Sequence, residues 1–212
     1  MDLLEIKGGI RLEGEVQTSG SKNSALPALA ACLLTSQPVI LHRVPKVRDL
    51  RTMQKLLAHT GTSIRALDDG SLEVHAERIT DPAAPYDLVK TMRASSLVLG
   101  PLVARTGRAR VSMPGGCAIG ARPINLHVNA LERLGAVTRQ EAGYIEAAAP
   151  NGLKGGIISF DRITVTGTED VMMAAVLAEG ETMHIVTDAQ MNKRALPEKY
   201  QQEFRRAIGS TE

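Results

Sequence analysis

The sequence is poor in aromatic residues: its 212 residues include no Trp, two Phe and three Tyr. The core must therefore be built from Leu, Val, Ile, Ala and Met. So few rings argue against a protein that stacks on the bases of single-stranded nucleic acid. The net charge of +2 also excludes a chain-wide positive field that would attract nucleic acids or membranes. We therefore expect no nucleic-acid partner.

Cysteines and long apolar runs are scarce as well. Two cysteines, Cys32 and Cys117, are too few for a disulfide framework or a cysteine metal cluster. No apolar run reaches the roughly 18 residues that a membrane span needs, and residues 1–11 lack the apolar segment of a signal peptide. We expect a cytoplasmic protein without metal or organic cofactor and without membrane insertion, whose thiols are reduced and free to react.

Helices are predicted where apolar residues recur at helical spacing between an N-terminal capping residue or proline and a C-terminal glycine. Five segments meet these criteria. They are 23–34, capped by Asn23 or Ser24; 49–59, capped by Asp49; 88–104, with a kink or an early end at Pro101; 123–134, with Pro123 in its first turn; and 169–178, begun by Glu169 and Asp170.

Short strands are predicted between these helices from β-branched residues and alternating polarity. Helices and strands that alternate along the chain predict an α/β fold. The predicted strands are Ser63–Ala66, Leu72–Ala76, Ala109–Ser112, Val137–Gln140, Tyr144–Ala147 and Ile157–Phe160.

The sequence also contains an internal repeat. Residues 56–76 and 130–149 share one plan, in which a helix end and a glycine precede a strand, a glycine turn and a second strand. A third unit begins near Ile157 but does not finish, because residues 183–212 lack this pattern. The sequence therefore predicts an α/β domain of repeated βαβαββ units, the third of them incomplete.

A candidate anion site lies in the segment "SGSKNSALPALAACLL". A glycine-containing turn leads into a helix there, and helix N-termini bind phosphate or carboxylate through free N–H groups. Lys22 would add a full charge, and Asn23 a neutral donor and acceptor. The alternative is an ordinary helix cap beside a solvated lysine.

A candidate reactive thiol lies in the segment "SMPGGCAIGARPINLH". Cys117 follows two glycines there and precedes Arg122, and a thiol near guanidinium groups loses or donates a proton readily. The alternative is a turn shaped by glycines, with an ordinary cysteine. Cys32 lies among Ala and Leu, where a buried, inert thiol is expected.

Two further segments carry weaker signals. Arg93 precedes an apolar run, where it can hold an anion or form an ion pair of little energy. The segment "DRITVTGTED" offers backbone amides at a helix start, which can meet a pyrophosphate. The five histidines lack metal-ligand spacing and are interpreted as structural or solvated: His42, His59, His75, His127 and His184.

Three segments together closely resemble one bacterial enzyme family: "EGEVQTSGSKNSALPALAACLL", "MRASSLVLGPLVARTGRARVSMPGGCAIGARP" and "TVTGTEDVMMAAVLAEGET". The family is the UDP-N-acetylglucosamine 1-carboxyvinyltransferases, enolpyruvyl transferases with an inside-out α/β barrel. The resemblance runs from about Leu4 to about Thr182. It includes the cysteine loop, which the sibling family that makes enolpyruvylshikimate phosphate lacks.

The resemblance implies a reaction and a set of site residues. Phosphoenolpyruvate would give its enolpyruvyl group to UDP-N-acetylglucosamine with release of phosphate, which opens peptidoglycan synthesis and so serves cell-wall biogenesis, cell shape and division. Cys117 matches the family's proton donor. Residues that match substrate contacts are Lys22, Asn23, Arg93, Arg122, Pro123, Ile124, Asn125, Leu126, Arg162, Ile163, Thr164 and Val165. Asn125 departs from the family, which usually has an aspartate there.

The resemblance also implies a division of the chain. Residues 1–21 match a strand of the family's second domain, 22–182 match the domain that carries the cysteine loop, and 183–212 do not match. Family members are about twice as long, so we expect this chain to be inactive alone, with any complementing chain unknown. The alternatives are a non-catalytic fragment that binds the UDP-sugar and a non-functional product of a truncated gene. A thiol redox role is disfavoured because Cys117 lacks a partner cysteine.

Overall fold

A computed structural model describes residues 3–5, 7–9, 11, 13–90, 92–113 and 124–178, and the short strands 186–187 and 193–194. The side chain of Arg93 and those beyond residue 178 lie outside the description. Within these ranges no helix is both long enough and apolar enough to cross a membrane.

Helices and strands alternate, so the α/β class is confirmed. Two 3-10 helices, Cys32–Leu34 and Arg93–Val98, precede or follow α-helices. The α-helices are α1 Lys22–Ala31, α2 Arg48–His59, α3 Tyr86–Val89, α4 Leu99–Thr106, α5 Asn125–Arg133 and α6 Val165–Ala175. The strands are β1 Val39–Leu41, β2 Ser63–Ala66, β3 Leu72–His75, β4 Ala83–Ala84, β5 Arg108–Ser112, β6 Val137–Glu141, β7 Tyr144–Ala148, β8 Val186–Thr187 and β9 Lys193–Arg194.

The internal repeat is confirmed by the sheets. The first sheet has the order β1-β3-β2, and the second has β4-β5-β7-β6. The antiparallel set β1, β3, β2 corresponds to β5, β7, β6, and β4 adds a parallel strand to the second sheet. The second unit therefore reads β4–α4–β5–α5–β6–β7, a complete βαβαββ unit.

Glycines hold the same backbone conformations in both units. Gly61 and Gly135 end α2 and α5 with φ of +97° and +88°, and Gly70 and Gly143 turn the two hairpins with φ of +81° and +79°. A side chain strains the backbone at positive φ, so glycine suits all four positions.

The core lies around α1, α4 and α6: α6 packs against both α1 and α4, and α4 packs against the 3-10 helix Cys32–Leu34 that continues α1. The three α-helices come from the first, second and third units respectively. Their buried side chains are aliphatic, as the shortage of aromatic residues predicts. The largest fully buried side chains are Leu29, Leu33, Leu50, Met53, Leu56, Leu57, Val74, Leu97, Leu99, Leu102, Leu131 and Leu153.

Two predicted helix caps are wrong. Ser21, rather than Asn23 or Ser24, caps α1, because its Oγ accepts a hydrogen bond from Ser24 N–H at 3.3 Å. Likewise α2 begins one residue before Asp49, after Val47. Asp49 lies in the first turn of α2, where its charge complements the helix dipole.

The single helix predicted over residues 88–104 is also wrong. Met92 lies between α3 and the 3-10 helix and has extended backbone angles (φ −144°, ψ 111°), so the helical structure is interrupted there. Pro101 lies in the first turn of α4, where its missing N–H costs no hydrogen bond. The apolar run is therefore divided among three short helices.

The third unit differs from its prediction at two places. Residues 157–160 form no strand, because the described residues offer no neighbour equivalent to β5 with which they could pair. Helix α6 begins at Val165 rather than near Glu169, since Thr164 caps it. Four strands were missed: β1, and the two-residue strands β4, β8 and β9.

Candidate functional site

The candidate anion site at the start of α1 faces the start of α2. Lys22 Nζ lies 2.8 Å from Asp49 Oδ2, and the lysine side chain is about half exposed. Asn23 is exposed in the same turn. Two helix N-termini thus meet around one ion pair, and such a partly exposed pair contributes little to stability. Lys22 is therefore available to an anion, in competition with Asp49.

The second candidate anion group begins the 3-10 helix Arg93–Val98. This helix belongs to the second unit and packs against α1 of the first unit and α6 of the third. The backbone of Arg93 therefore lies where the three units meet. Cys117, Arg122 and Pro123 belong to residues 114–123, which lie outside the described residues. Their roles stay predictions.

The two candidate sugar-nucleotide segments begin neighbouring helices. Ile124 is buried and precedes α5, whose first turn contains the exposed Asn125 and the half-buried Leu126. Thr164 caps α6: its Oγ1 accepts a hydrogen bond from Gly167 N–H at 3.1 Å. Helices α5 and α6 pack against each other, so the fold brings together segments that are some 40 residues apart in sequence.

His127 lies at this junction and was not identified from the sequence as a site residue. It is buried, and neither ring nitrogen has a hydrogen-bond partner among the described residues. Burial lowers its pKa, while the backbone carbonyls of Ile124 and Thr166 oppose that effect. The imidazole therefore lies between the first turns of α5 and α6 with a lowered pKa. The sequence offers one feature that could have identified His127 as a site residue, which is its position directly after Leu126.

The loop before α6 presents the remaining candidate residues to solvent. Arg162 and Ile163 are exposed, and so is Val165 in the first turn of the helix. The free N–H groups at this helix start and the nearby guanidinium of Arg162 can bind a phosphate. Within the described residues, no His, Cys, Asp and Glu side chains cluster in a way that would hold a metal ion.

A buried carboxyl lies below this surface. Asp170 is fully buried on α6, and its Oδ1 accepts a hydrogen bond from Gly100 N–H at 2.8 Å. Its Oδ2 has no partner among the described residues. Burial raises the pKa of Asp170 to about 7, although the hydrogen bond from Gly100 opposes the rise. This carboxyl joins α4 to α6 behind the candidate site.

The predicted burial of Cys32 is confirmed. Cys32 is buried, and its Sγ donates to the Ala28 carbonyl at 3.2 Å. Burial raises its pKa to about 11. A thiol with such a pKa holds almost no thiolate at neutral pH, so Cys32 is a poor nucleophile.

Solved structures with the same fold are enolpyruvyl transferases. The enolpyruvyl transferase NikO from Streptomyces tendae matches with a TM-score of 0.68 over 82% of this chain and 40% of its own, at 24% identity. EPSP synthase from Acinetobacter baumannii matches with a TM-score of 0.64 over 94% of this chain and 45% of its own, at 17% identity. At these identities the likeness shows the fold, which is that of this class of enzymes.

The sequence shows the family. The family model of EPSP synthase (3-phosphoshikimate 1-carboxyvinyltransferase) matches residues 6–208, so the chain belongs to that family. UDP-N-acetylglucosamine 1-carboxyvinyltransferase of Solibacter usitatus is 67% identical over 183 residues, and that of Acidobacterium capsulatum is 59% identical over 187. Each alignment covers 86% of this chain, but 44% and 42% of the relative. The chain therefore spans less than half the length of these relatives.

Proposed function

We propose that this chain is the sugar-nucleotide-binding and proton-donating part of a UDP-N-acetylglucosamine 1-carboxyvinyltransferase. Its reaction would transfer enolpyruvyl from phosphoenolpyruvate to UDP-N-acetylglucosamine with release of phosphate. This is the first committed step of peptidoglycan synthesis, and we place it in the cytoplasm. The support is the 67% identity to the Solibacter usitatus relative, which bears that name.

The structural observation that supports the proposal best is the junction of α5 and α6. Residues 124–126 and 162–165 match the family's nucleotide-contacting stretches, and the described residues bring both stretches to adjacent helix starts. A diphosphate carries the negative charge that a helix N-terminus favours.

The chemistry that we assign to the reacting end involves three proton transfers. The thiol of Cys117 would protonate the methylene carbon of phosphoenolpyruvate, which leaves an oxocarbenium-like centre on the neighbouring carbon. The sugar hydroxyl would attack that centre and lose its proton to a base. Loss of the added proton and of phosphate then gives the enolpyruvyl ether. Lys22 and Arg93 would hold the anionic groups of phosphoenolpyruvate.

We infer that these 212 residues do not turn over alone. No carboxylate in residues 1–182 falls within a motif that supplies the family's base. Holding two reactants in register contributes on the order of 7–11 kcal/mol, and one wall of a cleft provides little of it. Losing half of that contribution slows a reaction by about 300-fold to 8,000-fold, at roughly 1.4 kcal/mol per factor of ten.

A phosphate-release assay with both substrates tests this proposal. We expect no release above that of the Cys117→Ala variant, which reports contaminating enzyme. Turnover near one per second that disappears in Cys117→Ala would contradict the inactivity and would place a base within these 212 residues. Failure to bind either substrate at any concentration would instead contradict the assignment of the site.

A further inference from the structure

The second sheet has one face against the core and the other in solvent. Side chains alternate between the two faces along each strand. The buried positions of β5 and β7 are Ala109, Val111, Ile145 and Ala147, and α4 packs against both strands. The opposite face carries Arg108 and Arg110 of β5, Arg139 of β6 and Glu146 of β7. This solvent face is therefore rich in arginine.

One carboxylate lies between two arginines in the first row across this face. Glu146 is opposite both Arg110 and Arg139, and it accepts a hydrogen bond from Arg110 Nε at 3.1 Å. The guanidinium carbon of Arg110 also lies 3.7 Å from the centre of the Tyr144 ring, so two contacts hold that side chain. Arg139 pairs instead with Glu141 at 2.9 Å, and such an exposed pair contributes little to stability. Arg139 can therefore exchange Glu141 for a ligand.

Arg108 begins a second row, beside the first. Among the described residues its guanidinium has no hydrogen-bond or ion-pair partner. Its neighbour across the sheet is Ala148, which lies opposite Val137 of β6. Ala148 is small, and Val137 is 71% exposed. The second row thus has an unpaired guanidinium at one end and a short apolar surface next to it.

An open cleft of about 580 Å³ lies over the two rows. Its volume is within the roughly 300–1,000 Å³ of small-molecule sites, and a second hollow of about 520 Å³ adjoins it at Arg108. Two carboxylates line the cleft: Glu146 is paired with Arg110, and Asp81 Oδ2 lies 3.2 Å from His59 Nε2. Arg108 is therefore left with an uncompensated charge.

The first sheet shows that the fold does not require this arrangement. Glu73 corresponds to Glu146, since each follows the glycine of its hairpin by three residues. In the first sheet Arg65 Nη2 donates to both carboxylate oxygens of Glu73 at 3.1 Å, and Ile40 takes the place of Arg110. This row has one arginine for its carboxylate in the first sheet and two in the second. The surplus positive charge is thus a property of the second unit alone.

We propose that the cleft is a binding site for a small organic anion, whose phosphate or carboxylate group is held by Arg108 and whose apolar body lies over Ala148 and Val137. A guanidinium can donate two parallel hydrogen bonds to either group, and Arg139 across the cleft adds to the attraction. The cleft shares no residue with the candidate substrate site, so the proposal does not depend on the proposed reaction.

Two-dimensional amide NMR of the full chain tests the site. The probe is phenyl phosphate, which joins an anionic group to an apolar ring. We expect saturable shifts at residues 108–110 and 146–148, with a Kd of about 1 mM. Inorganic phosphate should bind about tenfold more weakly or worse, because it has no ring to cover the apolar row. Benzoate, titrated in the same way, distinguishes a carboxylate ligand from a phosphate ligand.

Arg108→Gln is the informative variant, because it removes the unpaired charge at an exposed position. Its affinity for phenyl phosphate should fall at least about tenfold, and Arg108→Lys should recover only part of the loss, because lysine lacks the guanidinium fork. Val137→Asp, which places a carboxylate in the apolar row, should also weaken binding. Arg65→Gln is the matched control: it removes an arginine from the same face of the first sheet and should leave the affinity unchanged. Thermal melting checks that each variant is folded.

Four results would overturn the proposal. The first is the absence of saturable shifts at millimolar phenyl phosphate. The second is equal affinity of Arg108→Gln and the unmodified chain. The third is an equal loss in Arg108→Gln and Arg65→Gln, which would indicate attraction by overall surface charge. The fourth is a set of shifts confined to residues 22–24 and 162–167, which would locate the anion at the candidate substrate site. Since the two sites share no residue, failure here leaves the proposed reaction untouched.

Discussion

Asp170 Oδ1 accepts a hydrogen bond from Gly100 N–H at 2.8 Å, and a side chain at position 100 would collide with the same residue. The N–H belongs to the first turn of α4, where backbone donors lack partners within the helix. Asp170 of α6 therefore satisfies an orphan donor of α4 inside the core. The contact links the helix that follows Arg93 to the helix that Thr164 caps.

The first prediction concerns the charge of Asp170. Because its folded-state pKa of about 7 lies above the ordinary value of 3.8, the native state holds this proton more tightly than the unfolded state does. The resulting stabilisation is complete below pH 4 and is lost as pH rises to about 7. The Asp170→Asn variant lacks this titration. The free energy of unfolding of the variant, minus that of the unmodified chain, should therefore rise by on the order of 2–4 kcal/mol between pH 4 and pH 8.

Urea unfolding of both proteins at several pH values measures this difference. Asp161→Asn, which removes an exposed carboxylate before α6, controls for the change in net charge. A difference between Asp170→Asn and the unmodified chain that stays constant across the pH range would show that the pKa of Asp170 is the same in the folded and unfolded states.

The second prediction concerns the close approach of α4 and α6. A Cβ at position 100 would lie 2.5 Å from the backbone oxygen of Asp170, so Gly100→Ala must move one helix. We expect a loss of about 1–3 kcal/mol in the free energy of unfolding. Gly8→Ala is the control, because a Cβ there meets nothing within 4 Å. Equal stability of the two variants would mean that α4 and α6 separate at little cost.

The third prediction concerns the two thiols. Cys32 is buried with a pKa raised to about 11, whereas Cys117 is predicted to lie near Arg122 with a lowered pKa. Limited iodoacetamide treatment at neutral pH should therefore label Cys117 first, as mass spectrometry of the digested protein would show. In urea the two should react at similar rates. Preferential labelling of Cys32 in the folded protein would contradict the proposed environment of Cys117.

The fourth prediction concerns sugar-nucleotide affinity. These residues supply one wall of the proposed site, so UDP-N-acetylglucosamine should bind weakly, with a Kd of about 1 mM. Calorimetric titration measures it. Arg162→Ala should weaken binding further, whereas Arg65→Ala should not, because Arg65 lies in the first sheet and pairs with Glu73 at 3.1 Å. Micromolar binding would mean that residues outside 1–182 rebuild the site.

The sequence determined the local pattern of this protein. Strand β2 has its predicted bounds, and β3, β5, β6 and β7 differ from theirs by one residue at an end. The glycines after α2 and α5 and in the two hairpins revealed the repeat, because positive φ is a local requirement that glycine meets and most residues do not. The family resemblance likewise rested on contiguous motifs, and the relatives at 67% and 59% identity confirmed it.

Other features were decided by tertiary structure. Nothing local distinguishes Asp170 from Glu169 as a helix-starting acid. The packing of α6 on α4 buries Asp170 and leaves Glu169 half-exposed. His127 resembled any other histidine until α5 packed against α6 and removed water from its ring. Residues 157–160 have strand-like side chains but form no strand, because a strand requires a neighbour to share its hydrogen bonds, and that neighbour is decided by the rest of the sheet.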